Sequence, residues 1–220
     1  MFSTRIATQI YAKICFETTL GQKKIIEKLS EYLAGDDFSR IFVLNGYAGT
    51  GKTTLIAALM GALKDLNIKP ILLAPTGRAA KVLAQYAQEK AFTIHKRIYR
   101  QRTNADYESK YSLNFNAEKG AVFIVDEASM IGDGAADGSP NLLQDLLFYV
   151  YSGLNCKLIL LGDTAQLPPV GMEESPAMNP EVLKAQGMHV VRATITKTVR
   201  QKARSGILYN LSLIHISEPT

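Results

Sequence analysis

Residues 41–54 read IFVLNGYAGTGKTT, and this stretch decides the fold. Residues 41–44 form a short apolar run that ends at a glycine-rich turn, so they predict a buried strand. Residues 53–63 carry apolar side chains at helical spacing, so a helix follows the turn. Between them, Gly46, Gly51, Lys52 and Thr53 satisfy the pattern G-x-x-x-x-G-K-[ST]. Glycines let the backbone curl until successive N–H groups point inward at an anion. The helix that follows adds its positive N-terminal end. This predicts a phosphate-binding loop made of Gly46, Ala48, Gly49, Thr50, Gly51, Lys52, Thr53 and Thr54. Lys52 brings a mobile charge to the β- and γ-phosphates of ATP, and the Thr53 hydroxyl is placed as a magnesium ligand. A chance match in an ordinary turn is the plain alternative. The strand before and the helix after argue against it.

Outward from this loop, strand and helix patterns alternate. Residues 22–33 place Ile25, Ile26, Leu29, Tyr32 and Leu33 on one helical face. Strands are predicted at 71–74, 121–125, 157–161 and 190–195, and helices at 78–88 and 142–151. The alternation predicts an α/β fold with a mostly parallel sheet flanked by helices. Residues 101–119 and 132–141 read as loops, the first polar and without periodicity, the second GDGAADGSPN.

Two further strand ends carry chemistry. VFIVDEASM delivers Asp126 and Glu127 to the carboxyl edge of its strand, where ligands bind in open α/β sheets. Asp126 is placed to hold magnesium, directly or through water. Glu127 is placed to polarise an attacking water as general base. KLILLGDTAQLPPVG puts Gln166 just past another strand. A glutamine amide both donates and accepts, so Gln166 is placed to sense a γ-phosphate and orient water. Pro168 and Pro169 stiffen the exit from that loop.

Composition bounds the rest. The chain has 220 residues, 47% hydrophobic and 20% charged, which fits a globular domain and excludes a disordered one. No apolar run approaches the roughly 20 residues that span a bilayer. The N-terminal residues break their apolar pattern with Thr, Gln and Lys, so neither a secretory signal nor a membrane partner is expected. Cys15 and Cys156 have no metal-ligand spacing and read as reduced thiols of a cytoplasmic protein. The net charge of +5 is compatible with a polyanionic partner. Residues 211–220, LSLIHISEPT, match the translation of a transposase adapter codon for codon. They are expected to be non-native, with the native chain cut at Asn210 from a longer protein.

These motifs in this order resemble the RecD-like branch of superfamily-one DNA helicases, which move 5′ to 3′. The similarity runs over residues 16–210 and rests on FETTLGQ, GYAGTGKTT, LLAPTGRAAKVL, AFTIHKRIY, FIVDEASMI, LGDTAQLPPVG and VRQKARSGIL. The resemblance implies a RecA-like P-loop NTPase domain over 1–198 and the start of a second motor domain at 199–210. It implies Mg-ATP hydrolysis coupled to movement along single-stranded DNA. Gln22, in F-x-x-T-x-x-Q with Phe16 and Thr19, resembles the adenine-reading glutamine; a polar residue at a helix start is its plain alternative. Pro75, Thr76, Gly77 and Arg78 resemble the segment that grips the strand backbone, and Thr93 and His95 a second one. Arg200 resembles the arginine that reaches the γ-phosphate from the second domain. His95, Lys96, Arg97, Arg100 and Arg102 form a basic run that fits phosphate tracking. No recombination or repair partner is identified. Two other readings stay open: a P-loop ATPase switch that does not act on DNA, and a non-catalytic ATP- or DNA-binding module.

Overall fold

The computed structural model describes residues 1–14, 17–47, 49–101, 111–134 and 141–195. Cys15, Phe16, Ala48, Arg102, Arg200, most of the 132–141 stretch and the expected adapter tail lie outside them.

In chain order the elements are α1 (Phe2–Ala12), α2 (Leu20–Ala34), β1 (Arg40–Gly46), α3 (Lys52–Asp65), β2 (Pro70–Ala74) and α4 (Gly77–Ala87). There follow β3 (Ala91–Thr93), α5 (Ile94–Ile98), β4 (Tyr99–Gln101), β5 (Tyr111–Leu113), β6 (Val122–Val125) and a 3-10 turn (Ala128–Met130). The chain continues with α6 (Leu142–Ser152), β7 (Lys157–Gly162), α7 (Pro180–Ala185) and β8 (His189–Ile195).

Six strands form one sheet in the order β3-β2-β6-β7-β1-β8, and all five pairings are parallel. Successive side chains leave opposite faces of a strand. Phe42 and Leu44 of β1 therefore join one core, and Ile41 and Val43 the other. β6 and β7 divide their residues in the same way. Strands buried on both faces read as unbroken apolar runs, which is why KLILL shows no alternation. Helices α1, α2 and α3 cover the first face, and α5, α6 and α7 contribute to the second.

The expected α/β architecture is present, with two differences in detail. The start of the chain is helical: Ile6 and Ile10, one turn apart, are fully buried against the core that α2 and α3 share. The segment 101–119, read as a loop, instead contains β5, which pairs antiparallel with β4. Beyond it, Asn116 is buried and donates to the carbonyls of Tyr149 and Val150 at 2.9 and 3.2 Å. Its polarity serves the carboxyl-terminal turn of α6, where carbonyls run out of i+4 N–H partners.

The amino edge of the sheet is closed by phenols. Tyr32, buried on α2, donates to the Leu158 carbonyl at 2.8 Å and accepts from the Leu158 N–H at 3.0 Å. Tyr151 donates to the Arg40 carbonyl at 2.8 Å. Lys157 donates to the Gly35 carbonyl at 2.6 Å and lies over the rings of Tyr32 and Phe38. Burial pushes both phenols well above the ordinary tyrosine value, so they remain donors. Removing the Tyr32 hydroxyl takes both of these bonds from the Leu158 backbone in the core. Tyr32→Phe is expected to lower stability by about 1–3 kcal/mol, read from denaturant midpoints at unchanged slope.

Candidate active site

Parallel strands all point their carboxyl ends the same way, so the loops after β1, β2, β3, β6 and β7 emerge on one edge. Every expected site residue within the described regions, apart from Gln22, lies at the end of one of these strands, in the turn that follows it, or in the first turn of the next helix. The chain leaves β1 for β2, three places away, and later returns to place β6 and β7 between them. That reversal opens the crevice beside the phosphate loop.

The loop has the conformation its glycines predict. Gly49 and Gly51 have φ of 75° and 90°, a region that side chains disfavour. A Cβ on Gly46 would lie 3.0 Å from Thr50 Oγ1 and 3.3 Å from Lys52 Cγ, so the close approach also requires glycine there. Thr50 is buried and donates to the Tyr47 carbonyl at 2.7 Å. Lys52 and Thr53 open α3, so their side chains stand at its positive end. The Lys52 ammonium folds back on the loop, donating to the Gly46 carbonyl and, at 3.2 Å, to the Tyr47 carbonyl.

Asp126 follows β6 directly, and its Oδ1 accepts from the Glu127 N–H at 3.0 Å. Burial pushes the Asp126 carboxyl above the ordinary aspartate value, and the Glu127 charge adds to this. The Glu127 N–H and the Lys52 charge act the other way, which places the acid within electrostatic reach of the loop lysine. Glu127 has φ 55° and ψ 36°, left-handed for a residue with a Cβ. That backbone costs about 1–3 kcal/mol and is typical of functional turns.

A cavity of about 340 Å³ joins two of the expected groups. Asp126, Glu127 and Gln166 line it together with Thr76 and Arg78, and Val82 and Met130 add an apolar wall. Thr76, Gly77 and Arg78 are exposed, and Pro75 half-buried, where β2 turns into α4. The Thr76 hydroxyl caps α4 by accepting from the Ala79 N–H at 3.2 Å. Thr93 caps the short α5 through the Lys96 N–H, also at 3.2 Å. His95 is exposed, its ring 5.6 Å from that of Tyr99.

Two expectations need adjustment. Gln22 is buried and completes a reciprocal cap: its Oε1 accepts from the Thr19 N–H at 2.9 Å, and the Thr19 hydroxyl accepts from the Gln22 N–H at 3.3 Å. The side-chain oxygen is therefore engaged, and the amide nitrogen is the group left to meet a base. The basic run is also not one free surface. Arg97 pairs with Glu118 at 2.5 Å, and Arg100 donates to the Ser112 hydroxyl at 3.1 Å. Residues that motif reading passed over include Asn45, which bonds Thr164 across the sheet, and Ser175. The Ser175 hydroxyl donates to the Ala128 and Ile131 carbonyls at 3.1 and 2.7 Å, clamping the turn after Glu127. A polar residue ending the apolar run IFVL was the available signal for Asn45.

A family model described as an AAA domain matches residues 19–213. The chain belongs to the AAA domain family. Within that family setting it is similar to the ATP-dependent RecD2 DNA helicase of Deinococcus radiodurans, 33% identical over 173 residues, covering 77% of this chain and 21% of that protein. It is similar to the ATP-dependent DNA helicase dda of Enterobacteria phage T4, 33% identical over 139 residues, covering 61% of this chain and 29% of that one. The crystal structure of the Pif1 helicase from Candida albicans shares the fold, with TM-score 0.53 and 18% identity over 90% of this chain and 44% of that chain. This AAA domain chain thus spans less than half the length of each of the three proteins.

Glu118 also bonds Lys69 at 2.7 Å, and its side chain is 16% exposed. Burial works to raise its carboxyl, but Lys69 and Arg97 prevail and hold it below the ordinary glutamate value. A lowered folded value adds stability that is complete above the unfolded value of about 4.3 and is lost as pH falls through the folded one. Glu118→Gln is expected to flatten that acid limb and cost about 1 kcal/mol at pH 7, discounted for partial exposure. Urea melts between pH 3 and 7 check both.

Proposed function

We propose that this chain is the ATP-hydrolysing motor domain of a RecD-like DNA helicase, coupling Mg-ATP turnover to movement along single-stranded DNA. The observation that carries the reading is the shared cavity, with Asp126, Glu127 and Gln166 on one side and Thr76 and Arg78 on the other. Groups suited to hydrolysis and groups suited to a phosphodiester backbone face the same space, so a shift on one side is felt on the other.

The residues fit the chemistry. The N–H groups of residues 49–53 and the start of α3 take the phosphates of ATP. Lys52 exchanges its two carbonyl partners for the β- and γ-phosphate oxygens, which moves its charge without breaking the loop. Thr53 and Asp126 would hold magnesium, which neutralises charge on the outer phosphates. Asp126 keeps one carboxylate oxygen without a hydrogen bond among the described residues, as a ligand should. Glu127 takes the proton of the attacking water, and ADP and phosphate result. Gln166 donates to the γ-phosphate and accepts from the same water. Arg200, from beyond the described residues, would add a cation to the transition state. Thr76, Arg78, Thr93 and His95 would contact the strand, with Arg78 as the exposed point charge and the start of α4 as the dipole beside it.

Turnover of this chain is expected to rise when single-stranded DNA is added, because the cavity joins the two sites. Turnover indifferent to single strands would favour a nucleotide switch instead. Glu127→Gln should keep ATP binding and lose turnover by about 100-fold or more, measured as phosphate release. Wild-type turnover in that variant would remove Glu127 from the mechanism.

Gln22 can read adenine only through its amide nitrogen while its oxygen caps α2. Glu at this position still accepts from the Thr19 N–H but cannot donate. Gln22→Glu is thus expected to hold its melting point within the few degrees that about 1 kcal/mol represents, while losing preference for ATP over GTP. Retained preference would leave Gln22 with the capping role alone.

A further inference from the structure

The turn that carries Gln166 is built almost entirely from its own bonds. Asp163, buried, accepts from the Ala165 N–H through Oδ1 at 2.9 Å, and its carbonyl accepts from the Gln166 N–H at 3.1 Å. Such a turn is stiff inside but says nothing about its direction. Among the described residues, the hydrogen bonds from residues 163–166 to another strand or helix run to one side chain, that of Asn45. The Asn45 Nδ2 donates to Thr164 Oγ1 at 2.9 Å, and the Thr164 N–H donates to Asn45 Oδ1 at 3.1 Å.

The position of this pair is specific. Asn45 faces Gly162 in the last paired register of β1 and β7. Past that point the two backbones separate, one into the phosphate loop and one into the Gln166 turn. A side-chain amide has the donor and acceptor of a peptide group. Asn45 therefore extends the β1–β7 ladder by one more rung after the backbone can no longer do so. One end of the rung is the residue before Gly46, and the other is two residues before Gln166. Asn45 is 7% exposed, so water competes little for its amide.

We propose that Asn45 and Thr164 are positioning residues that aim Gln166 at the γ-phosphate held by the loop beginning at Gly46. The inference rests on the ATPase reading above and deepens it. Without the rung, the phosphate loop keeps its own geometry, since among the described residues none of its bonds passes through Thr164. What is lost is the registration of the sensor to the loop. ADP, which lacks the γ-phosphate, does not feel that loss.

The test uses the full chain and the variants Asn45→Ala, Thr164→Val, their combination, and the conservative Thr164→Ser. Affinities for ADP and for a non-hydrolysable ATP analogue are measured by calorimetry, and turnover by phosphate release. ADP affinity should stay within about twofold, while preference for the analogue and turnover fall about 10- to 100-fold in Asn45→Ala. Thr164→Val, which keeps the N–H bond, should fall less, and Thr164→Ser should match wild type. The double variant should be no worse than Asn45→Ala, since both remove one interaction. Equal loss of ADP and analogue, additive effects, or wild-type preference in both single variants would overturn the proposal. If the wild-type chain binds neither nucleotide, the ATPase reading itself fails. Amide exchange then still decides the pair: Thr164 and Gln166 amides should exchange at least about tenfold faster in Thr164→Val or Asn45→Ala. Unchanged exchange would sink the rung.

Discussion

The parallel ladder of β1, β7 and β6 is the constraint on which the site depends. Neighbouring strands lie about 4.8 Å apart, so β1 and β6, with β7 between them, are separated by about 10 Å. That gap is fixed by backbone hydrogen bonds and by side chains buried on both faces. It sets the distance between the phosphate loop after Gly46 and the carboxylates after Val125. The proposed hydrolysis, with a γ-phosphate, a metal ion and a water, would use about that space. The intervening strand delivers Gln166 into the gap from the middle. Were β6 paired directly with β1, the acids would crowd the loop and leave no place for Gln166.

The two edges of this sheet divide stability from chemistry. At the amino edge, Tyr32, Tyr151 and Lys157 satisfy backbone groups and close the gaps between strands. At the carboxyl edge, polar groups are left open or bonded in ways that a ligand can replace. Lys52 rests on two carbonyls, Asp126 uses one oxygen, and Glu127 sits in a left-handed backbone. The cost of that open edge is carried by the closed one and by the two cores.

Much of this was legible in the sequence, because the deciding signals are local. An apolar run before GYAGTGKTT, an apolar run before DE and another before GDTAQ define three strand ends without knowledge of what they pack against. The helical start of the chain drew no expectation, although Ile6 and Ile10 stand one turn apart. The pairing of β4 with β5 was not legible, since strands of three residues carry no periodicity. Nor was the fate of the basic run. Whether Arg97 meets a phosphate or Glu118 depends on residue 118 returning to it from 21 positions away, which composition does not encode. Gln22 shows the same limit differently. The pattern T-x-x-Q specifies a capping box as well as it specifies a base reader, and one side chain with two functional groups can satisfy both.

That double use extends to the site as a whole. The Thr76 and Thr93 hydroxyls cap helices, Gln22 caps α2, and Asp163 builds a turn, yet each stands at or beside a surface where a phosphate or base is expected. A capping group holds the first turn of a helix in a fixed direction, so the N–H groups that remain unpaired point outward together. Binding then requires little further ordering of the backbone. Structural caps and ligand contacts are therefore not rival accounts of these residues. The first is what makes the second inexpensive in entropy, and it explains why short polar side chains gather at the carboxyl edge of a sheet whose interior is almost wholly apolar.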